Sequence, residues 1–211
     1  MRIKTYSLGS CMANCYIASA GNTALVIDPA AEGKTIAAAL QKQGLTPAAV
    51  LLTHGHVDHI FGLGELLDAA GDMPVYIHEA DVPYLHDPML NLSVMIEGVP
   101  YTFDGKVNAA KHGDVLDIGT FDVRVIHTPG HTDGSSCYLV TDKENGDTAL
   151  FSGDTLFGGT VGRTDFPHGD YDTLMQSLEK LTVLPDELDV YPGHMGATTI
   201  GHEKRYNMYL S

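Results

Sequence analysis

The segment Thr53-His54-Gly55-His56-Val57-Asp58-His59 sets three imidazoles and a carboxylate almost side by side, directly after the apolar run Ala49 to Leu52. Crowding of this kind would leave a strained or cationic patch if it were only structural. Imidazole nitrogen suits zinc and iron, and carboxylate oxygen bridges or tunes such ions, so the segment reads as a metal site. Three further residues stand in the same context, each after its own apolar run: His131 in Thr128-Pro129-Gly130-His131-Thr132, Asp154 in Ser152-Gly153-Asp154-Thr155 and His194 in Tyr191-Pro192-Gly193-His194. A chain that uses all of them must bring the ends of four strands, far apart in sequence, to one edge. His78, His86, His112, His127, His168 and His202 lie outside these clusters and read as solvated or internally satisfied.

Short apolar runs mark the strands: Tyr16 to Ala18, Ala24 to Ile27, Val50 to Leu52, Val75 to Ile77, Phe121 to Ile126, Cys137 to Val140, Ala149 to Phe151 and Leu188 to Tyr191. Between them, Lys34 to Gln43, Ile60 to Ala70 and Tyr171 to Leu181 carry helical patterns with a cap or glycine stop. Gly21-Asn22 and Asn145-Gly146 are hairpin signals, so the sheets are mixed and helices cover them. The stretch from Asp87 to Ala110 has no clean period and many apolar residues, which fits a pocket wall or a loop packed over the core.

At 211 residues the chain supports one sizeable core, and one domain over residues 1–211 is expected. Twelve Lys plus Arg against 27 Asp plus Glu give a formal charge of −15, which repels nucleic acid and anionic membrane surfaces. Nuclease chemistry is therefore disfavoured, and a small-molecule substrate is expected. Cys11, Cys15 and Cys137 form no paired framework; Cys15 and Cys137 sit in apolar runs and read as buried thiols, while Cys11 has no such context. No charged start followed by an apolar stretch and cleavage site opens the chain, and no apolar run is long enough to cross a bilayer. The expectation is a soluble cytoplasmic protein with reduced thiols.

Taken together, His54-x-His56-x-Asp58-His59, His131, Asp154 and His194 resemble the signature of the metallo-β-lactamase superfamily. Within it the chain is similar to the short, single-domain hydrolases related to glyoxalase II, the hydroxyacylglutathione hydrolases. That similarity runs through His127-Thr128-Pro129-Gly130-His131-Thr132-Asp133-Gly134-Ser135, Gly153-Asp154-Thr155-Leu156-Phe157, Gly162-Arg163-Thr164-Asp165-Phe166-Pro167 and Thr198-Thr199-Ile200-Gly201. The resemblance implies an α/β (α+β) fold, a four-layer αββα sandwich of two mixed sheets flanked by helices. The helical C-terminal domain of larger glyoxalase II enzymes is not expected here, because the sequence given stops at Ser211, soon after His194.

The same resemblance assigns His54, His56 and His131 to a first metal ion, Asp58, His59 and His194 to a second, and Asp154 to both. Two divalent ions are implied, zinc foremost, with iron or manganese as alternatives. The implied activity is hydrolysis of an acyl thioester of the S-lactoylglutathione type, or a related ester, by a hydroxide held between the ions, with Asp58 and Asp154 as the catalytic carboxylates. A thiolate leaves readily, since a thiol pKa is ~8.5, and no serine or cysteine nucleophile is required. Where larger relatives place a lysine and tyrosine for glutathione, this chain has Thr155 to Arg163 without either. Arg163 reads either as a loop-fixing partner of Asp165 or as a clamp on a substrate carboxylate, and Lys204 and Arg205 are the other candidate substrate contacts. The alternatives are a mononuclear-iron persulfide dioxygenase of the same fold, for which His56, His131 and Asp154 supply two imidazoles and a carboxylate, and a lactonase.

Overall fold

The central strands of this protein bury both of their faces, and period-two alternation sends neighbouring side chains into different cores. The structure, a computed structural model, describes residues 1–210. Strands β1 (Arg2–Leu8), β2 (Ala13–Ala20) and β3 (Thr23–Ile27) form an antiparallel meander. Gly21-Asn22 makes the tight turn between β2 and β3, with Gly21 at φ +55°. Helix α1 (Gly33–Lys42) leads to β4 (Thr46–Leu51), which pairs parallel with β3. A one-turn helix α2 (Val57–Ile60) and α3 (Leu63–Ala70) lead to β5 (Val75–His78), parallel to β4. A 3-10 helix, Glu79–His86, and a short α4 (Ser93–Ile96) precede β6 (Asn108–Ala110), which closes the first sheet in the order β1-β2-β3-β4-β5-β6.

The second sheet begins with β7 (Val115–Ile118), β8 (Phe121–His127), β9 (Ser136–Asp142) and β10 (Thr148–Gly153), paired antiparallel. A small hairpin of β11 (Leu156–Phe157) and β12 (Thr160–Val161) follows, then α5 (Tyr171–Thr182). Strand β13 (Asp189–Pro192) joins β10 in parallel, and β14 (Thr198–Thr199) and α6 (Ile200–Tyr206) complete the chain in the order β14-β13-β10-β9-β8-β7.

Three apolar clusters separate four layers. Leu25 and Ile27 of β3 and Ala49 and Leu51 of β4 meet Val123, Val125, Tyr138, Val140 and Phe151 of the second sheet in a central core. The alternate residues, Ala24, Val26 and Val50, face outward onto Ile36 and Leu40 of α1 and Leu63 and Leu66 of α3. On the opposite side, Cys137, Leu150 and Val190 pack under Leu178 and Leu181 of α5 and Ile200 of α6. The αββα sandwich expected from the sequence is therefore observed, and Cys15 and Cys137 are buried thiols within it.

Two departures are local. The helix expected over Ile60 to Ala70 is interrupted: Gly62 donates its N–H to the Pro29 carbonyl at 2.9 Å, and a Cβ there would lie 2.7 Å from that oxygen. Its φ is ordinary, so it is the close approach of the 29–31 backbone that requires glycine. The edge strand β1 was not marked by any apolar run, because only Leu8 at its end is buried.

Replacing Phe121, fully buried in the central core, by Ala is expected to lower stability by ~3–5 kcal/mol. The exposed Val183→Ala should stay within about 0.5 kcal/mol, and urea midpoints compare the two.

Candidate metal centre

Four segments reach the same edge of the sandwich, each just beyond the C-terminal end of a strand: 53–59 after β4, 128–131 after β8, Asp154 after β10 and His194 after β13. The seven residues singled out in the sequence meet there. His54, His56 and His131 form one group, His54, His59 and Asp154 a second, and Asp58, His59 and His194 a third, with ligand-type atoms within 4.8 Å of one another in each.

Outer partners fix which nitrogen each ring presents. Asp28, buried at the end of β3, accepts from the Thr53 amide at 2.7 Å and from the Thr53 hydroxyl at 2.6 Å. It also accepts from His59 Nδ1–H at 3.0 Å, which leaves Nε2 as the His59 nitrogen that faces the centre. The Thr53 hydroxyl hydrogen goes to Asp28, so His54 Nδ1 donates to Thr53 Oγ1 at 3.1 Å and its Nε2 is free of a proton. His131 Nδ1 donates to the Arg163 carbonyl at 2.7 Å, and its Nε2 lies 2.9 Å from His56 Nδ1. His194 Nε2 stands 3.4 Å from Asp58 Oδ2 and 3.5 Å from Asp154 Oδ2, and His59 Nε2 is 3.4 Å from Asp154 Oδ1. The Nε2 atoms of His54, His56 and His59 and Oδ1 of Asp154 are buried without any hydrogen-bond partner. Buried polar atoms are otherwise almost always paired, so the unpaired atoms of His54, His59 and Asp154, grouped within 4.8 Å, and the close approach of His56 Nδ1 to His131 Nε2 fit cations held among these side chains.

The electrostatics agree. Burial, reinforced by the neighbouring imidazoles, pushes His54 and His56 well below the usual histidine range, and burial also lowers His131, so all three present neutral ligands. Burial alone would raise Asp58, but the adjacent His59 and His194 hold it far below the usual carboxylate range. Burial opposes charge on His59 too, yet Asp154, Asp58 and Asp28 push it up to about 10. Three carboxylates thus demand a positive charge at this corner, and a divalent ion meets the demand more fully than one proton.

A second buried carboxylate ties the loops together. Asp81 accepts from the Gly55 amide at 2.9 Å, the Gly134 amide at 2.6 Å and the Thr132 hydroxyl at 2.7 Å, joining the loop of His54 and His56 to that of His131. Burial pushes its carboxyl up to about 7 in spite of these donors. A side chain at Gly134 would meet Asp81 at 2.6 Å, and one at Gly193 would collide with Asp154 and His59; close approach explains both glycines. Sequence reasoning missed Asp28 and Asp81. Asp28 sits in Ile27-Asp28-Pro29 at a strand end, the context used to find the other ligands, whereas Asp81 carries no such signal.

The remaining candidates are placed as follows. Arg163 and Asp165 form a bidentate pair at 2.6 and 2.7 Å, and the guanidinium lies 3.9 Å from the Phe166 ring centre. It is the backbone carbonyl of Arg163 that reaches His131. Lys204 Nζ bonds to Asp186 and the Leu184 carbonyl, Arg205 lies over Tyr206, and neither lines the cavity at the centre. The structure therefore does not bring these two to the seven ligands. In the 87–110 stretch, Leu92, Met95 and Ile96 line that cavity, while Asn91 ties the segment down through the carbonyls of Tyr84 and Tyr101.

Asp28→Asn is expected to weaken metal binding by about 10- to 100-fold, read by competition with a chromogenic chelator. Asp81→Ala leaves two amides and a hydroxyl without their acceptor, and is expected to cost at least ~1–3 kcal/mol in urea unfolding of the metal-free protein.

Residues 8–194 match the family model of the metallo-beta-lactamase superfamily. A Bacillus subtilis protein named as the probable metallo-hydrolase YqgX is 37% identical, covering 100% of this chain and 98% of its own. The hydroxyacylglutathione hydrolase GloC of Haemophilus influenzae is 34% identical over 89% of this chain and 87% of its own. The crystal structure of the BLEG-1 B3 metallo-beta-lactamase superposes with a TM-score of 0.91 at 36% identity, covering 100% of both chains. No helix among the described residues is long and apolar enough to cross a membrane. With its own strand ends delivering the ligand set, this chain belongs to the metallo-β-lactamase superfamily of metal-dependent hydrolases.

Proposed function

We propose that this protein is a dinuclear metal hydrolase that cleaves acyl thioesters. The observation that carries the reading is the grouping of buried, unpaired atoms of His54, His59 and Asp154 beside the ligand-type atoms of His56, His131, Asp58 and His194. His54, His56 and His131 would hold one ion, Asp58, His59 and His194 the other, and Asp154 lies between the groups. Bound there, the two ions supply Lewis acidity toward a carbonyl oxygen and a water acidic enough to act as nucleophile near neutral pH.

The protein's part is to place and hold. Asp58 and Asp154 turn carboxylate oxygens into the cavity, where they orient a water by accepting its hydrogens. Cys11, the one thiol that lines the cavity, is raised above its usual range by burial and then by the charge of Asp58, which makes it a poor nucleophile. Among the described residues lining the cavity there is no lysine or tyrosine to protonate a leaving group. That favours substrates whose leaving group departs as an anion: a thiolate, with a conjugate-acid pKa of ~8.5, needs no such help, whereas the amine of an amide or lactam does.

Elemental analysis of the purified protein together with S-D-lactoylglutathione and acetyl thioester hydrolysis tests the reading. Two ions per chain with thioester turnover, lost on chelation and restored by zinc or manganese, is the expected outcome. About one iron per chain with oxygen uptake on a persulfide would replace it by the dioxygenase reading. Asp154→Ala is expected to lower turnover by several orders of magnitude and to release metal while circular dichroism stays native. Arg163→Ala should leave metal content unchanged, because the atom that holds His131 belongs to the backbone.

A further inference from the structure

The cavity over these side chains, about 490 Å³, is flanked by an apolar annex of about 260 Å³. Leu92, Met95 and Phe166 wall both spaces, and Met89, Val94 and Pro167 extend the annex away from the centre with no polar side chain. Met89 (71%), Met95 (61%) and Val94 (47%) are exposed, and Met195, on the rim of the cavity, is 61% exposed. A cluster of exposed apolar side chains at the mouth of a catalytic cavity calls for an apolar ligand, and methionine side chains adapt to flexible ones.

Charge points the same way. Arg163 is the only lysine or arginine among the described residues that line the cavity, and its Nε and Nη2 are paired with the carboxylate of Asp165 while its face lies on Phe166. The chain carries a formal charge of −15. Among its described lining residues the cavity therefore offers no lysine, and no arginine without a carboxylate partner, to the carboxylates of a glutathione conjugate or the phosphates of a coenzyme A ester.

We infer that the native substrate is an uncharged thioester or ester carrying an unbranched apolar chain, and that the annex walled by Met89, Leu92, Val94, Met95, Phe166 and Pro167 holds this chain. The inference rests on the hydrolase reading above and narrows it. With the ~30 Å³ that a water occupies in the liquid as a yardstick for a methylene, the annex holds about eight such groups. The chain belongs either to the acyl group or to the leaving thiol, and the two sources are separable.

The test uses the metal-loaded protein and two series of neutral thioesters: acyl N-acetylcysteamines from acetyl to decanoyl, and acetyl esters of ethanethiol to decanethiol. In the series whose chain enters the annex, kcat/KM is expected to rise about two- to fourfold per methylene and to level off near eight carbons. The responding series identifies the source. Met89→Asp and Val94→Asp, made separately at exposed positions, are expected to flatten the rise. Turnover that is flat with chain length in both series, or fastest with S-D-lactoylglutathione, overturns the inference and leaves the hydrolase reading standing. If no thioester or ester is hydrolysed, that reading falls, and the annex is judged by calorimetry alone. Octanol should then bind at least tenfold more tightly than butanol, with the difference lost in Val94→Asp. Equal affinities for the two alcohols overturn the annex as well.

Discussion

The buried carboxylate of Asp28 is the interaction on which the centre depends. A charge this deep is costly unless it is fully hydrogen-bonded, and Asp28 is satisfied by Thr53 twice and by His59 once. In meeting its own demand it orients two of the imidazoles: His59 directly, and His54 through the Thr53 hydroxyl. Both rings then turn Nε2 inward. The arrangement is thus built from the outside, by hydrogen bonds that orient the rings.

Asp81 does for the loops what Asp28 does for the rings. Its three donors come from Gly55, Thr132 and Gly134, so two segments some 75 positions apart share one buried acceptor. The loop of His131 is held from the other side as well, where Ser177 of α5 donates to the Pro129 carbonyl at 2.8 Å and Asp170 donates its amide to the Gly130 carbonyl. A site assembled from four loops gains its rigidity from such ties, since the loops themselves have no ladder of backbone bonds.

The cavity above the seven clustered side chains combines a polar floor with apolar walls. The superfamily includes, by their names, a hydroxyacylglutathione hydrolase and a B3 metallo-beta-lactamase at comparable identity to this chain. Selectivity then has to come from the walls: the 87–110 stretch, the Arg163–Pro167 loop and the short turn that carries Cys11. These segments differ from the ligand loops in being exposed and irregular, which is where substrate preference changes at least cost to the fold.

Much of this was legible in the sequence because the physics is local. Period-two apolar runs place β2, β3, β4, β8, β9 and β10, and the four strand-then-turn patterns mark the seven side chains that the structure brings together, since an imidazole or carboxylate beside a strand end is a one-dimensional pattern. Strand β1 and the hairpin of β11 and β12 escaped, being edge or two-residue elements whose pairing is decided by neighbours. Asp81 could not be seen, because its meaning lies in donors from Gly55, Thr132 and Gly134, and Arg163 was read through its side chain when the contact that matters is its carbonyl. Lys204 and Arg205 read as anion contacts by charge alone, yet one is paired with Asp186 and neither lines the cavity. Sequence determined which residues could bind metal and which strands would carry them. Tertiary structure alone decided the tautomers, the ties between loops and the shape of the cavity, since these depend on contacts between residues that the chain keeps far apart.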